Sequence, residues 1–176
     1  PGGQLRRVTD DRYEDLDPTW LPDGSSLVFS SDRAAGGAEG AHNLYRVHIA
    51  DRAIAPLTRG PWRDEAPRWD AESGRILFTS DRGGTFDLYS VDTLGIGRRE
   101  TRVEGALFDP APLPQDRRIL TSVFTDLSWS AYLVTPDSAA RTEMFALDTT
   151  PVIGTVGENG SPPNWAWTEL ADARAR

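Results

Sequence analysis

The sequence predicts an all-β fold of the β-propeller class: blades of four-stranded antiparallel sheets, too few to close a full ring. Three observations carry this. The stretch DPTWLPDGSSLVFSSDR, from Asp17 to Arg33, returns in altered form as EAPRWDAESGRILFTSDR, from Glu65 to Arg82. Anchors hold one register through three units: Thr9, Thr58 and Thr101 each stand nine residues before Pro18, Pro67 and Pro110, and Tyr45, Tyr89 and Tyr132 follow at steps of 44 and 43 residues. The runs Leu27-Val28-Phe29 and Ile76-Leu77-Phe78 are continuously apolar, not alternating, and so need cover on both faces. A sheet lying between two like sheets meets that need.

Each unit reads as four short strands. The first holds DPTW, APRW or DPAP. A turn (LPDGS, DAESG, LPQDR) leads to the second, SLVFSS, RILFTS or RILTSV. Pro-Asp-Gly favours the turn because proline presets φ while Asp and Gly accept the tight conformations that follow. The third strand is NLYRVHI, FDLYSVD or SAYLVT, and the fourth is IAPLT or RRETR, with residues 4–9 expected as a strand donated from a preceding blade. Unit one carries five extra residues in a Gly/Ala-rich loop after SSDR, where an insertion is tolerated. The units expected are 10–58, 59–102 and 103–147, with ARTEMFALDTT as the outer strand of the third, followed by a linker or tail, 148–176, toward a further domain.

The order Pro-x-Trp, Pro-Asp-Gly, hydrophobic strand, Ser-Asp-Arg, Leu-Tyr strand and Leu-Thr resembles the TolB-type, WD40-like propeller repeat from about Leu5 to Thr135. Unit one departs at Leu21, where the pattern has Ser. Unit two keeps Trp69, Asp81, Arg82, Leu88 and Tyr89 but lacks Pro-Asp-Gly. Unit three has Pro112 for Trp and no Asp-Arg pair. The resemblance implies a cell-envelope or periplasmic propeller that contacts protein partners. It implies more blades than three, hence a longer polypeptide, with a three-blade arc completed by self-association as the alternative.

Composition narrows the function classes. The 176 residues, 38% hydrophobic and 26% charged, suit a folded chain with a core, and no apolar run approaches the roughly 18–20 residues that span a bilayer. A net charge of −8 argues against a nucleic-acid partner, and the absence of lysine excludes a Gly-x-x-x-x-Gly-Lys phosphate loop. With no cysteine there is no disulfide, zinc-thiolate site or thiol nucleophile. Neither His42 nor His48 stands in a metal-binding spacing, and Gly-x-Ser-x-Gly is absent. No catalytic residue, metal or cofactor is expected.

The remaining candidates are binding residues. Trp20 and Trp69 recur at one blade position, which points to inter-blade packing ahead of an aromatic ligand cage. Asp32-Arg33 and Asp81-Arg82 end the second strands, where Asp satisfies turn amides and Arg either bridges to a neighbouring blade or faces a ligand. Asp15, Asp17, Asp64, Glu65 and Asp109 gather near the first strands at one rim, either as solvated turn residues or as a ring attracting a cation or basic partner segment. In the tail, Trp165 and Trp167 fall on one face of an extended stretch, as a pin onto the last blade or a tip toward a following domain. The reading that results is a non-catalytic platform binding a protein partner through its rim loops. The alternatives are a propeller gating a peptidase domain and a channel that binds glycan or peptide.

Overall fold

A computed structural model describes residues 3–33 and 40–146. The expected linker, with Trp165 and Trp167, and most of the Gly/Ala-rich insertion lie outside the described residues. Blade one is a sheet in the order β1 (Asp15–Trp20), β2 (Ser26–Ser31), β3 (Asn43–His48), β4 (Ile54–Pro56). Blade two follows with β5 (Asp64–Asp70), β6 (Arg75–Ser80), β7 (Asp87–Val91) and β8 (Ile96–Arg99). Blade three holds β9 (Ala106–Pro112), β10 (Ile119–Thr125) and β11 (Ser128–Val134). Neighbouring strands within each sheet are antiparallel.

The apolar second strands are buried for the reason their composition dictates. Alternate residues point to opposite faces, so Val28 and Leu44 of blade one meet Ile76, Phe78, Tyr89 and Val91 of blade two, with Trp69 packed alongside. Leu77 and Leu88 leave the other face of blade two and meet Leu107, Ile119 and Val123 of blade three. Each fully buried side chain of this size contributes about 1.5–3 kcal/mol from removal of apolar surface from water. Blade two is thus covered on both sides. On the far face of blade one, Phe29, Tyr45 and Val47 pack with Leu27 and Ile54 of the same sheet and with Val8.

One local feature recurs in all three blades. The residue before the repeated proline has left-handed φ (Asp17, Ala66 and Asp109, each +51°), and the ladder between the first and second strands slips there. Proline cannot donate to a ladder, so the strand bulges at that point. Aspartate tolerates the left-handed region better than alanine. The Ala66 amide donates to Asp17 Oδ2 at 3.3 Å, joining the bulge of blade two to that of blade one.

Three expectations are corrected. Residues 4–9 form no strand. Trp20, expected in an inter-blade core, is 55% exposed, because it shares the face of Leu27, away from blade two, whereas Trp69 packs against the interface cluster. The segment expected as the outer strand of blade three instead forms β12 (Met144–Ala146), which pairs antiparallel with β8 and makes blade two five-stranded. The cause is side-chain fit. Gly97 leaves the room that the Phe145 ring fills, and Phe145 packs edge-on to Phe78 and Tyr89, 6.4 Å from each. Among the described residues blade three has three strands, and its edge strand β11, with Tyr132, is largely exposed.

Candidate functional site

The Ser-Asp-Arg repeats build the same clamp twice at one rim. In blade two, Arg82 Nη2 donates to Asp64 Oδ1 and Oδ2 at 2.7 and 2.8 Å, and Arg82 Nε donates to Ser80 Oγ at 3.0 Å. Asp81 Oδ1 accepts the Arg63 amide at 2.9 Å. In blade one, Arg33 Nη2 donates to Asp15 Oδ1 at 2.6 Å and Asp32 Oδ1 accepts the Glu14 amide at 3.0 Å. Each clamp ties the loop after the second strand to the start of the first strand of the same blade. Arginine suits this work because its planar fork meets carboxylates while its faces stack on rings. Arg33 lies over Tyr13, Phe29 and Tyr45, and Arg82 over Phe78, Tyr89 and Phe145.

The two clamps account for Asp32, Arg33, Asp81 and Arg82, together with Asp15 and Asp64. Asp17 and Asp109 sit at the proline bulges, Asp109 exposed, and Glu65 accepts from Arg63 at 2.6 Å. Among the described residues, no group of three or more His, Cys, Asp or Glu side chains is placed to hold a metal ion. The Tyr45 hydroxyl is buried without a hydrogen-bond partner, and burial pushes its pKa up to about 12. It is neutral at physiological pH and packs as an aromatic wall.

A second polar cluster escaped the sequence reading. Glu100 is 1% exposed and accepts from Arg141 Nε at 2.6 Å, Ser90 Oγ at 2.7 Å and Arg98 Nε at 2.8 Å. Next to it, Arg99 donates to Asp87 and to Glu143, and Glu143 also pairs with Arg102. Arg141 and Glu143 precede β12, so this cluster fastens the returning segment to blade two. Equal-offset repetition was the sequence's main signal, and this cluster occurs once.

Burial acts to raise the Glu100 pKa, but the hydrogen bonds from Arg98, Ser90 and Arg141 outweigh it and hold the carboxyl below the usual glutamate value. Such a group contributes stability above its unfolded pKa, about 4.3, and that contribution disappears as pH falls through the lowered folded value. Thermal melts followed by circular dichroism below about pH 4.3 should therefore show a steeper drop in Tm for the wild-type chain than for Glu100→Gln. Parallel curves would remove Glu100 as a source of acid sensitivity.

No protein-family model matches the chain. Over 107 residues, 60% of its length, the chain is 29% identical to the Tol-Pal system protein TolB of Anaeromyxobacter sp. strain K and 28% identical to that of Anaeromyxobacter dehalogenans strain 2CP-1. It spans about 23% of the length of each of these curated relatives. Among solved structures, a TolB from Agrobacterium tumefaciens superimposes with a TM-score of 0.65 at 22% identity, covering 76% of this chain and 50% of that one. A puromycin-hydrolyzing peptidase of Mycobacterium tuberculosis gives a TM-score of 0.54 at 14% identity, covering 76% and 22%. At such identities both structures speak to the fold alone.

Proposed function

We propose that the three sheets, blades of a partial TolB-type β-propeller, form a non-catalytic platform that binds a protein partner through the loops of one rim. The observation that supports this reading is the doubled clamp. Its Asp, Arg and Ser side chains are engaged in fixing backbone, and the charged residues beside them, Glu14 and Arg63, are displayed in solvent on a rigid frame. A preorganised rim binds without the cost of ordering its loops first. The relatives' place in the Tol-Pal system supports a cell-envelope location. Among the described residues no helix is long and apolar enough to cross a membrane.

The competing reading, a propeller that gates a peptidase, draws on the fold likeness to the puromycin-hydrolyzing enzyme. Both readings are tested with a photo-crosslinking amino acid placed in the full-length protein within its own cells. Positions Glu14 and Arg63 should yield protein adducts, and Asp23 and Glu72, in hairpins at the opposite rim, should not. Adducts spread evenly over the four positions would overturn the rim assignment. Peptide hydrolysis by the full-length protein whose substrate range widens when the blades are deleted would favour the gate.

A further inference from the structure

β12 reaches blade two out of chain order and adds a strand to an edge that would otherwise be open. Its fit combines backbone and side-chain recognition. Arg99 N donates to Glu143 O at 3.1 Å, and Met144, Phe145 and Ala146 pair with Arg98, Gly97 and Ile96. Glu143 and Phe145, two residues apart, project to the same face of the strand. There the carboxylate meets Arg99 and Arg102, while the ring covers Gly97 with Arg82 Cζ 3.8 Å from its centroid.

Two facts indicate that this edge accepts more than the short segment occupying it. Among the described residues only three pair, and Met144 between the two anchors is 58% exposed. Beside Phe145 a cavity of about 390 Å³ remains, walled by Thr58, Arg59, Trp62, Arg82 and Tyr89. Arg59 makes no ion pair among the described residues, and Arg102 pairs with Glu143 alone. In a chain of net charge −8, Arg59 lines this cavity and Arg102 pairs with Glu143, which lines it too, beside an aromatic slot and a strand edge.

We propose that the outer edge of blade two is a strand-addition site for an extended segment of a partner protein, with an acidic residue two positions before an aromatic one. Residues 143–146 occupy the site in cis. Main-chain pairing to β8 supplies affinity, as in other strand-addition sites, and selectivity comes from the Gly97 slot and the Arg99–Arg102 pair. The cavity beside Arg59 and Trp62 takes the partner's next side chains. The cavity adjoins the rim clamp at Arg82, but the paired edge is β8, so a substitution at Gly97 tests this edge while cross-links at Glu14 and Arg63 test the rim.

The probe is a fluorescein-labelled peptide copying residues 141–148, titrated by anisotropy against the full chain. In the wild type the tethered copy competes at an effective concentration of about millimolar, so binding is weak. Phe145→Ala removes the competitor's anchor, and Glu143→Arg repels it from Arg99 and Arg102 while sparing the packed rings. Both variants should bind the peptide at least about tenfold more tightly than the wild type. Adding Gly97→Val to either should abolish the gain, and a peptide with alanine at the Phe position should bind neither.

If Phe145→Ala disturbs folding, as judged by circular dichroism, Glu143→Arg carries the test. A folded Glu143→Arg chain that gains no peptide affinity overturns the proposal. So does binding that persists with Gly97→Val or with the alanine peptide.

Discussion

Replacing Phe78 with alanine lowers the free energy of unfolding by about 3–5 kcal/mol. Phe78 is fully buried and belongs to the cluster joining blades one and two. Its ring lies 6.0 Å from that of Tyr89 and 6.4 Å from that of Phe145, and the Arg82 guanidinium stands over it. Truncation removes a buried aromatic and leaves a cavity between sheets that cannot close without shifting their ladders. Trp20→Ala, at a residue 55% exposed, should fall within about 1 kcal/mol of the wild type. Urea denaturation of the two variants measures the difference. Equal effects would mean that the sheets do not stack through this face.

Asp64→Ala has an effect of similar size for an electrostatic reason. The Asp64 side chain is 0% exposed and that of Arg82 11%. Without the carboxylate, the guanidinium is left uncompensated among Phe78, Tyr89 and Phe145. Breaking one side of such a pair costs about 3–5 kcal/mol, whereas replacing both with apolar residues of similar volume costs far less. The double variant Asp64→Leu/Arg82→Met should therefore be more stable than Asp64→Ala, a non-additivity that a double-mutant cycle detects. If the two single changes simply add, the pair is not coupled. By the same geometry Arg82→Ala should destabilise more than Trp69→Ala, since Trp69 is only partly buried and Arg82 holds a loop, a carboxylate and three rings together.

The blades were legible because repetition states a physical requirement more than once. Val28 and Phe29 stand on opposite faces of blade one, and Leu77 and Phe78 on opposite faces of blade two, as an unbroken apolar run demands. Pro18, Pro67 and Pro110 each mark a bulge, as a proline inside a strand should. The clamp was half visible: Asp-Arg was recognised, but its reach of 18 residues back to Glu14-Asp15 and Arg63-Asp64 needed the hairpin between. β12 was hidden, since three residues carry no periodicity and the pairing is decided by a vacancy at Gly97. A glycine inside a strand was the available signal. The exposure of Trp20 was hidden for a related reason, because a repeat fixes a position within the blade but not whether another sheet lies over it.

The detour taken by β12 also sets how tension travels. Blade three is threaded between the eighth and twelfth strands, both of which belong to the sheet before it. A pull applied at Ala146 would load blade two first, peeling β12 and its glutamate fasteners before straining the blade that comes later in the chain.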